Sequence, residues 1–278
     1  MAETLRTRSA TAAEVGHALA RTHCGACLSY HSVWPYLRLL DPPRGVDADR
    51  PVLEAVLDPL LFDGARVLLA GSADAGLADC VLEIAGERAV ALTVVDLCAT
   101  PLLHCETLLR GRARGGLTTR RGSICVAPAA PFADVIVAHS VLSFLPASDL
   151  AAAGSALSES LKPGGHLVMT TGLGRAAPSF DVESFSRQVL SRFAAASITL
   201  PDCDAAFGLF LDDYSRQRVR RIIPFADRPE LCRWLAEAGL EVETMRELRR
   251  GSGFDRDGAP TSRIASGVLV VARKGRSG

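Results

Sequence analysis

The stretch RVLLAGSADAG, residues 66–76, decides how the chain folds, because an apolar strand passes through small residues into a helix. A turn of small residues lets the backbone approach a ligand closely, and the N-terminus of the following helix presents free N–H groups. The stricter dinucleotide motif G-x-G-x-x-G is not met, since Ala73 occupies the second glycine position. The stretch therefore predicts a strand, a ligand-binding turn and a helix, but it does not specify the ligand.

Apolar strands and helical segments alternate along the rest of the chain. We predict strands at about 66–71, 89–96, 123–127, 133–139 and 164–172, with helices at about 75–86, 100–110 and 147–161. This alternation is typical of βαβ units in a parallel sheet, and the near-continuous apolar runs favour a sheet covered on both faces. Two late strands, at about 240–248 and 264–273, are joined by a loop too short for a crossover helix, which predicts an antiparallel pair.

Two helical regions are predicted outside this alternating pattern. Residues 1–62 are predicted to form an N-terminal helical cap, and the core over residues 63–278 carries a helical insertion at about 176–225. An insertion after the fifth strand lies at the carboxyl edge of the sheet, where open α/β sheets bind ligands, so it predicts a substrate lid. Phe207 and Tyr214 are its candidate substrate contacts, although a packing role for these aromatic residues stays equally open.

The composition is that of a globular protein, with 48% of the 278 residues hydrophobic and 22% charged. The 31 basic and 31 acidic residues cancel, which argues against a nucleic-acid-binding protein. The arginine-rich stretch GRARGGLTTRRG, residues 111–122, is predicted to be a solvated loop, with a phosphate- or RNA-contacting loop as the alternative.

The sequence predicts a cytoplasmic protein that does not enter a membrane. It has no run of about 18 apolar residues and no apolar segment of a secretion signal near its start. The eight cysteines, mostly isolated from one another, favour a reducing compartment. Arginine supplies nearly all of the positive charge beside abundant Ala, Leu and Val, which suggests a GC-rich bacterial genome. The oligomeric state is not specified by any of these features.

Asp96 ends the second predicted strand, LTVVD. An acidic residue at this place can accept hydrogen bonds from both ribose hydroxyls of a nucleoside, because a carboxylate offers only acceptors. The alternative is that Asp96 caps the helix that follows. Asp96 therefore favours a nucleoside ligand without identifying it.

Two later segments carry a resemblance to a known family. PFADVIVAHSVLSFLP (131–146) and LKPGGHLVMTTG (161–172), followed by the late strand pair, closely resemble the second half of Rossmann-like methyltransferases that use S-adenosylmethionine (SAM). The resemblance covers about residues 50–278. It implies a three-layer α/β Rossmann-like methyltransferase fold, with a mostly parallel seven-stranded sheet whose final strand is antiparallel. It also implies methyl transfer from SAM to a small-molecule acceptor of specialised metabolism, with S-adenosylhomocysteine (SAH) as a product.

The resemblance assigns cofactor contacts to the ends of the first, second and fourth strands. They are Gly71, Ser72, Ala73 and Gly76 around the methionine part, Asp96 and Leu97 at the ribose and adenine, and His139 and Ser140 facing the methyl donor. An N-terminal helix covers the cofactor in many members, which adds Tyr30, Trp34 and Arg38. His139 is the first candidate base and His31 the second, because imidazole titrates near neutral pH. A structural role for His139 is the alternative.

The sequence departs from the family pattern in two places. Leu69 and Ala70 stand where the family often has an acidic residue, and CVAPAAP (125–131) has none after the third strand. Either the N-terminal segment supplies the missing polar contacts or the cofactor site is lost. The second case leaves an alternative function: a methyltransferase-like protein that binds SAM or SAH without methyl transfer and has other chemistry or a binding role. An NAD-dependent oxidoreductase is disfavoured, because no Tyr-x-x-x-Lys pair exists.

The N-terminal segment also holds a group of potential metal ligands. Cys24-x-x-Cys27 and His31 are ligand types that bind zinc. A closed zinc site usually needs four ligands, and the sequence has no second Cys pair at the required spacing. We therefore predict no metal and expect these residues to pack or to line a pocket, with metal binding or redox-active thiols as alternatives.

Overall fold

The structure, a computed structural model, describes residues 5–174, 182–201, 204–219, 222–248, 253–254, 260–261 and 266–275. Its helices are α1 (Ala10–His23), α2 (Leu28–Leu37), α3 (Val46–Leu57), α4 (Gly76–Ala85), α5 (Ala99–Leu109), α6 (Leu150–Ser160), α7 (Val182–Ala195), α8 (Asp204–Val219) and α9 (Arg228–Glu237). Its strands are β1 (Arg66–Ala70), β2 (Ala91–Asp96), β3 (Leu117–Arg121), β4 (Ala133–His139), β5 (Leu161–Leu173), β6 (Leu240–Leu248), β7 (Gly253–Phe254), β8 (Pro260–Thr261) and β9 (Ser266–Lys274).

The central sheet has seven strands in the order β3-β2-β1-β4-β5-β9-β6. Strands β1 to β5 pair in parallel, and β9 is antiparallel to both of its neighbours, β5 and β6. The mostly parallel sheet with a reversed final strand is therefore confirmed. The late hairpin prediction is also confirmed, since β6 and β9 pair antiparallel from Leu240 opposite Lys274 to Leu248 opposite Gly267.

Helices cover both faces of the sheet, as the apolar strands predict. In β1, Val67 and Leu69 face one buried cluster, which α3, α4 and α5 complete. Leu68 and Ala70 face a second cluster, on the side of α6 and α9. Every second residue of a strand points to the same face, so four consecutive apolar residues fill both layers. Burying each such leucine stabilises the fold by roughly 1.5–3 kcal/mol.

The third strand differs from the prediction. The strand is β3, within the arginine-rich stretch, whereas the apolar run at 123–127 forms turns and loop. The prediction of a solvated loop for residues 111–122 is therefore wrong at the strand itself. Among the described strands, β3 is at the edge of the sheet and pairs with β2, and most of its side chains are exposed. Because these side chains face solvent, the strand carries no apolar pattern.

The cap is more helical than the sequence indicates. The stretch DPPRGVDADRP, residues 41–51, predicts a turn-rich connector, but α3 begins at Val46 within it, with Asp47 and Asp49 in its first turn. Serine is a common N-cap residue, which predicts that Ser32 begins a second short helix, but Ser32 lies inside α2 because that helix already begins at Leu28. Acidic residues favour a helix N-terminus, which explains why α3 begins so early. The cap boundary at residue 62 stays a prediction.

The insertion forms two helices, α7 and α8, which we call the lid. Cap and lid share a third buried cluster, which includes Tyr36 and Leu37 from the cap and Phe193, Phe207 and Leu211 from the lid. The ends of the predicted insertion helices lie in part outside the described residues. No helix in the described part of the chain is long and apolar enough to span a bilayer.

Candidate functional site

The ends of three parallel strands meet at one edge of the sheet. β1 lies between β2 and β4, so the residues that follow or end these strands are neighbours. They include Gly71 after β1, Asp96 at the end of β2 and His139 at the end of β4. The structure therefore brings together the central part of the predicted cofactor site at the carboxyl edge, where open α/β sheets bind ligands.

The turn after β1 requires glycine at its first position. Gly71 has a φ of +79°, a conformation that residues with a Cβ rarely adopt. A Cβ at this position would also lie 2.3 Å from Cγ2 of Val141, in the turn after β4. The loops after β1 and β4 therefore pack directly on each other, and Gly71 allows this close approach.

Asp96 is connected to the turn that it faces. Its Oδ2 accepts a hydrogen bond from the N–H of Ser72 at 2.9 Å, and its Oδ1 accepts one from the N–H of Cys98 at 2.7 Å. A carboxylate has about four lone-pair positions, so acceptors remain on both oxygens. Burial raises the pKa of Asp96, while the two backbone N–H groups act in the opposite direction. Asp96 is not the cap of α5, because Cys98 holds the N-cap position and no side chain caps that helix, so the carboxylate orders the loop before α5 and still offers acceptors.

Three exposed apolar side chains follow the neighbouring strands. Leu97 after β2, Val126 after β3 and Phe144 after β4 are 63%, 67% and 47% exposed. Large apolar side chains left exposed together commonly mark a ligand or partner site. Leu97 adjoins Asp96 in the chain, and all three side chains follow strands that end at this edge, which fits a ligand with a flat apolar ring and a diol, as an adenosine group has.

His139 forms an ion pair or hydrogen bond with the cap. Its Nε2 lies 2.9 Å from Oδ2 of Asp49 in α3, and the Asp49 side chain is 5% exposed. If the Nε2 proton faces Asp49, the other ring nitrogen, Nδ1, is the one that can accept a proton. Ser140, the next residue, has a φ of +58°, a strained conformation for a residue with a Cβ. Its N–H donates to the carbonyl of Thr170 at 2.9 Å, which holds the turn on β5.

Arg38 is fully buried and links the cap to the turn after β1. Its Nε and Nη2 donate to the two carboxylate oxygens of Asp47 at 2.7 and 2.8 Å, and its Nη1 donates to Asp74 at 2.9 Å. Burial alone would raise the pKa of Asp74, but the charge of Arg38 holds it below its usual range. Asp74 in turn accepts the N–H of Gly76 at 2.7 Å.

The predicted cofactor contacts of Arg38 and Gly76 stay predictions. In the structure, Gly76 is buried and makes room for the guanidinium, since a Cβ on Gly76 would lie 2.4 Å from Nη1 of Arg38. Arg38 is therefore placed behind the turn, and its donors are directed to carboxylates of the protein. Ala73, which lies in the same turn three residues before Gly76, is half-buried and packs against the cluster shared by cap and lid.

His104 makes a second connection between the cap and this turn. Its Nδ1 accepts from the N–H of Ala75 at 3.3 Å, and its Nε2 lies 2.9 Å from the carbonyl oxygen of Ala12 in α1. One nitrogen must accept and the other donate, which requires the neutral ring. Burial lowers the pKa of His104, although the charge of Asp74 acts in the opposite direction.

The predicted aromatic contacts form stacked rings between cap and lid. Tyr30 stacks on Tyr214 with ring centroids 5.8 Å apart and on Trp34 at 6.1 Å, and its edge meets Phe144 at 5.2 Å. Phe207 and Tyr214 are both buried. Phe207 packs against the cap residue Tyr36 at 5.3 Å. Packing is the role that these contacts show for the two lid residues, and their predicted substrate contacts stay predictions.

The second candidate base, His31, lies among sulfur atoms. Its Nδ1 is 3.2 Å from Sγ of Cys24, and the residue is buried. Burial lowers the pKa of His31, but the neighbouring Cys27 and Cys98 outweigh this effect and raise it to about 9. Hydrogen bonds from Cys24 and Cys27 lower the pKa of the Cys98 thiol. His31 therefore belongs to a cysteine cluster, away from the end of β4.

Sequence reasoning missed several residues of this region. Asp49 and Asp74, which contact His139 and Arg38, lie in segments predicted as connector and turn. Cys98 joins the cysteine cluster from the loop after β2. Only Cys98 had a usable signal, since it stands two residues after Asp96 at the same edge of the sheet. For the acidic residues the local sequence carried none, because their partners lie far away in the chain.

One depression opens on the same edge of the sheet but farther along it. It has a volume of about 570 Å³. Its lining residues come from the segment between β5 and α9 and from α9 itself, among them Gly174, Pro224, Asp227 and Arg233. Gly71, Asp96 and His139 are not among its lining residues. The candidate site is therefore assigned to the strand ends, which carry the half-buried carboxylate of Asp96 and the exposed apolar side chains, and not to this depression.

Comparison with solved structures relates the whole architecture to known proteins. The 1,6-didemethyltoxoflavin N1-methyltransferase of Burkholderia thailandensis, bound to SAH, superimposes with a TM-score of 0.56 and 15% identity over 95% of this chain and 89% of its own. The N-methyltransferase NodS of Bradyrhizobium japonicum, also with SAH, gives a TM-score of 0.54 and 17% identity over 88% and 98% of the two chains.

A third similar structure has a different reaction. The [4+2]-cyclase SpnF gives a TM-score of 0.54 and 15% identity, covering 88% of this chain and 93% of its own. No protein-family model matches the sequence, and no curated protein matches it. The strand order and these superpositions together show that the chain has the Rossmann-like fold of the SAM-dependent methyltransferases.

Proposed function

We propose that this protein is a methyltransferase that transfers a methyl group from SAM to a small molecule. The observation that carries the proposal is the Asp96 carboxylate beside the Gly71 turn, at the edge of a sheet with the methyltransferase strand order. Exposed Leu97, Val126 and Phe144 supply apolar surface around the same edge. A nucleoside with a diol and a flat base satisfies both the carboxylate acceptors and this surface.

We assign each residue at the strand ends to a different part of the cofactor. Asp96 would accept from the ribose hydroxyls, and Leu97 would contact the adenine, as the family resemblance implies. The turn at Gly71, Ser72 and Ala73 would hold the methionine part, and Ser140 would face the donor group. When bound, SAM supplies a methyl group activated by its sulfonium. The protein must then align an acceptor atom with that methyl group and remove a proton where the acceptor requires it.

His139 is our candidate for the base. Its contact with Asp49 orients the ring, and with the Nε2 proton on that contact Nδ1 is the atom that accepts a proton. The cap, which carries Asp49, therefore completes the site. Tyr30, Trp34 and Arg38 act as positioning residues: Arg38 fixes the turn after β1, and the stacked rings link cap and lid above the strand ends.

The acceptor side is assigned to the region between cap and lid. We propose that the acceptor is a small molecule of specialised metabolism and that the enzyme works in the reducing cytoplasm of a bacterium without nucleic-acid or membrane partners. The free thiols of the buried Cys80 and Cys105 support the reducing compartment, and the absence of net charge supports a small acceptor over a nucleic acid.

Calorimetric titration with SAM and with SAH tests the cofactor site directly. We expect micromolar dissociation constants for both, and a loss of about 100-fold or more in Asp96→Ala, because two hydrogen bonds to a charged acceptor are removed. Asp58→Ala is the matched control, since Asp58 is an exposed carboxylate before β1 whose side chain pairs with Arg88. If folded wild-type protein binds neither compound, the cofactor assignment is wrong.

A second function on the same scaffold has a specific observation in its favour. SpnF, with a TM-score of 0.54 to this chain, is described as a [4+2]-cyclase. The alternative is therefore a protein that binds SAM or SAH and catalyses another reaction, or that acts by binding alone. The two functions separate in an acceptor screen with methyl-labelled SAM: label in the product supports methyl transfer, whereas a converted acceptor without label supports the alternative.

A further inference from the structure

Four ligand atoms from three helix ends meet beside the candidate cofactor site. Cys24 follows α1, Cys27 and His31 lie at the start of α2, and Cys98 precedes α5. Their ligand atoms all lie within 4.8 Å of one another. Three of these donors, Cys24, Cys27 and His31, were recognised from the sequence. The fourth, Cys98, comes from the loop after β2 and lies 71 residues beyond Cys27 in the chain.

The separations match those of a tetrahedral metal site. Sγ of Cys98 lies 3.5 Å from Sγ of both Cys24 and Cys27, and Sγ of Cys24 lies 3.2 Å from Nδ1 of His31. With Zn–S bonds of about 2.3 Å and Zn–N bonds of about 2.0 Å, tetrahedral geometry places neighbouring ligand atoms roughly 3.5–3.8 Å apart. These three pairs need to move by only a few tenths of an ångström to share one ion, and no pair among the four atoms, which all lie within 4.8 Å of one another, needs to close by more than about 1 Å.

The surroundings place two helix N-termini and a hydroxyl group at the sulfur atoms. Cys27 and Cys98 stand at the N-cap positions of α2 and α5, so their sulfurs lie near the positive ends of two helices. The hydroxyl of Thr100 lies 3.0 Å from Sγ of Cys24, where it can donate a hydrogen bond to a thiolate. Three thiolates and one imidazole are the donor set of a structural zinc site.

We propose that Cys24, Cys27, His31 and Cys98 bind one Zn²⁺ ion with a structural role. The ion joins the cap to the loop after β2, which also carries Asp96 and Leu97. The N–H of Cys98 already donates to Asp96 at 2.7 Å, so fixing Cys98 also fixes the carboxylate of the candidate cofactor site. The four ligands leave no open position for a substrate, and His31 is then not available as a base.

Metal analysis of protein purified under reducing conditions without chelator tests the site. We expect about one zinc ion per chain in the wild type. Cys98→Ser should lose most of it, and Cys232→Ser, at a half-buried cysteine in α9, should keep it. The measurement needs no SAM or acceptor, so its result is independent of the proposed methyl transfer.

A second measurement remains decisive if Cys98→Ser does not fold. Wild-type protein stripped of metal and reloaded with Co²⁺ should show sulfur-to-metal charge-transfer bands and the d–d bands of a tetrahedral thiolate site. The proposal is overturned if reduced, folded wild type contains no zinc and takes up neither Zn²⁺ nor Co²⁺. It is equally overturned if Cys98 is found in a disulfide with Cys24 or Cys27, whose sulfurs would have to close from 3.5 Å to about 2.05 Å.

Discussion

The cap and the lid both lie against the carboxyl edge of the sheet, but different forces hold them there. The cap is attached by directional polar contacts, among them Arg38 to Asp74 and His139 to Asp49. The lid is attached mainly by aromatic packing, such as Tyr214 on Tyr30 and Phe207 on Tyr36. Hydrogen bonds and ion pairs specify positions to within tenths of an ångström, whereas apolar packing is non-directional.

This difference suits two different tasks. The polar contacts of the cap end on the turn after β1 and on His139, where the proposed methyl donor must be held in a fixed place. The lid packs mainly on the cap helix α2, and Ala73 of the turn after β1 borders the cluster that cap and lid share. We therefore expect changes in the cap to alter both stability and cofactor affinity, and changes in the lid to alter stability but not cofactor affinity.

The largest loss of stability is expected when the buried ion pairs of the cap are broken. Arg38→Met leaves the carboxylates of Asp47 and Asp74 buried without their cation, which should lower the free energy of unfolding by about 3–5 kcal/mol. Urea denaturation measures this, and SAH titration should show weaker binding. Arg187→Met, at an exposed i,i+4 pair in the lid, is the control and should change stability by less than about 0.5 kcal/mol. An equal effect of the two substitutions would contradict the proposed role of Arg38.

A somewhat smaller effect is expected from opening the lid's packing. Phe207→Ala removes a ring that is fully buried against Tyr36 and Phe193, which should lower the free energy of unfolding by about 3 kcal/mol. The affinity for SAH should not change. Leu209→Ala, on the same helix at a position 72% exposed, should have almost no effect. A marked loss of SAH affinity in Phe207→Ala would show that the lid also shapes the cofactor site.

The smallest effect concerns the pH dependence of the cap contacts. The pKa of His104 is lowered from 6.5 in the folded protein, so the unfolded chain binds a proton more readily. The contribution of neutral His104 to the free energy of unfolding is therefore fully present above pH 6.5, and it decreases as the pH falls through and below that value. Denaturation of wild type and of His104→Asn at pH 7 and at pH 5.5 isolates this decrease, because His31, whose pKa is raised to about 9, changes stability in the opposite direction in both proteins. His104→Asn should reduce the difference between the two pH values, and an unchanged difference would assign it to other groups.

Much of the fold followed from the sequence because strand burial leaves a local record. The apolar runs of β1, β2, β4 and β5 lie in the middle of a covered sheet, and each was located to within a few residues. β3 was misplaced, since an edge strand with exposed Thr and Arg side chains carries no apolar pattern. The nearby run at 123–127 is apolar because it covers the second buried cluster with Ile124 and Cys125, although it forms no strand.

The sequence by itself determined the order of strands and helices, the glycine turn at 71 and the acidic residue at 96, because these depend on local periodicity and residue type. Only the tertiary structure decided which distant residues meet. Arg38 contacts Asp74, and His139 contacts Asp49. Cys98 joins the cluster of Cys24, Cys27 and His31. Each of these contacts joins segments at least 36 residues apart, and no local pattern encodes it. Packing the cap's helix ends against the strand ends creates these contacts.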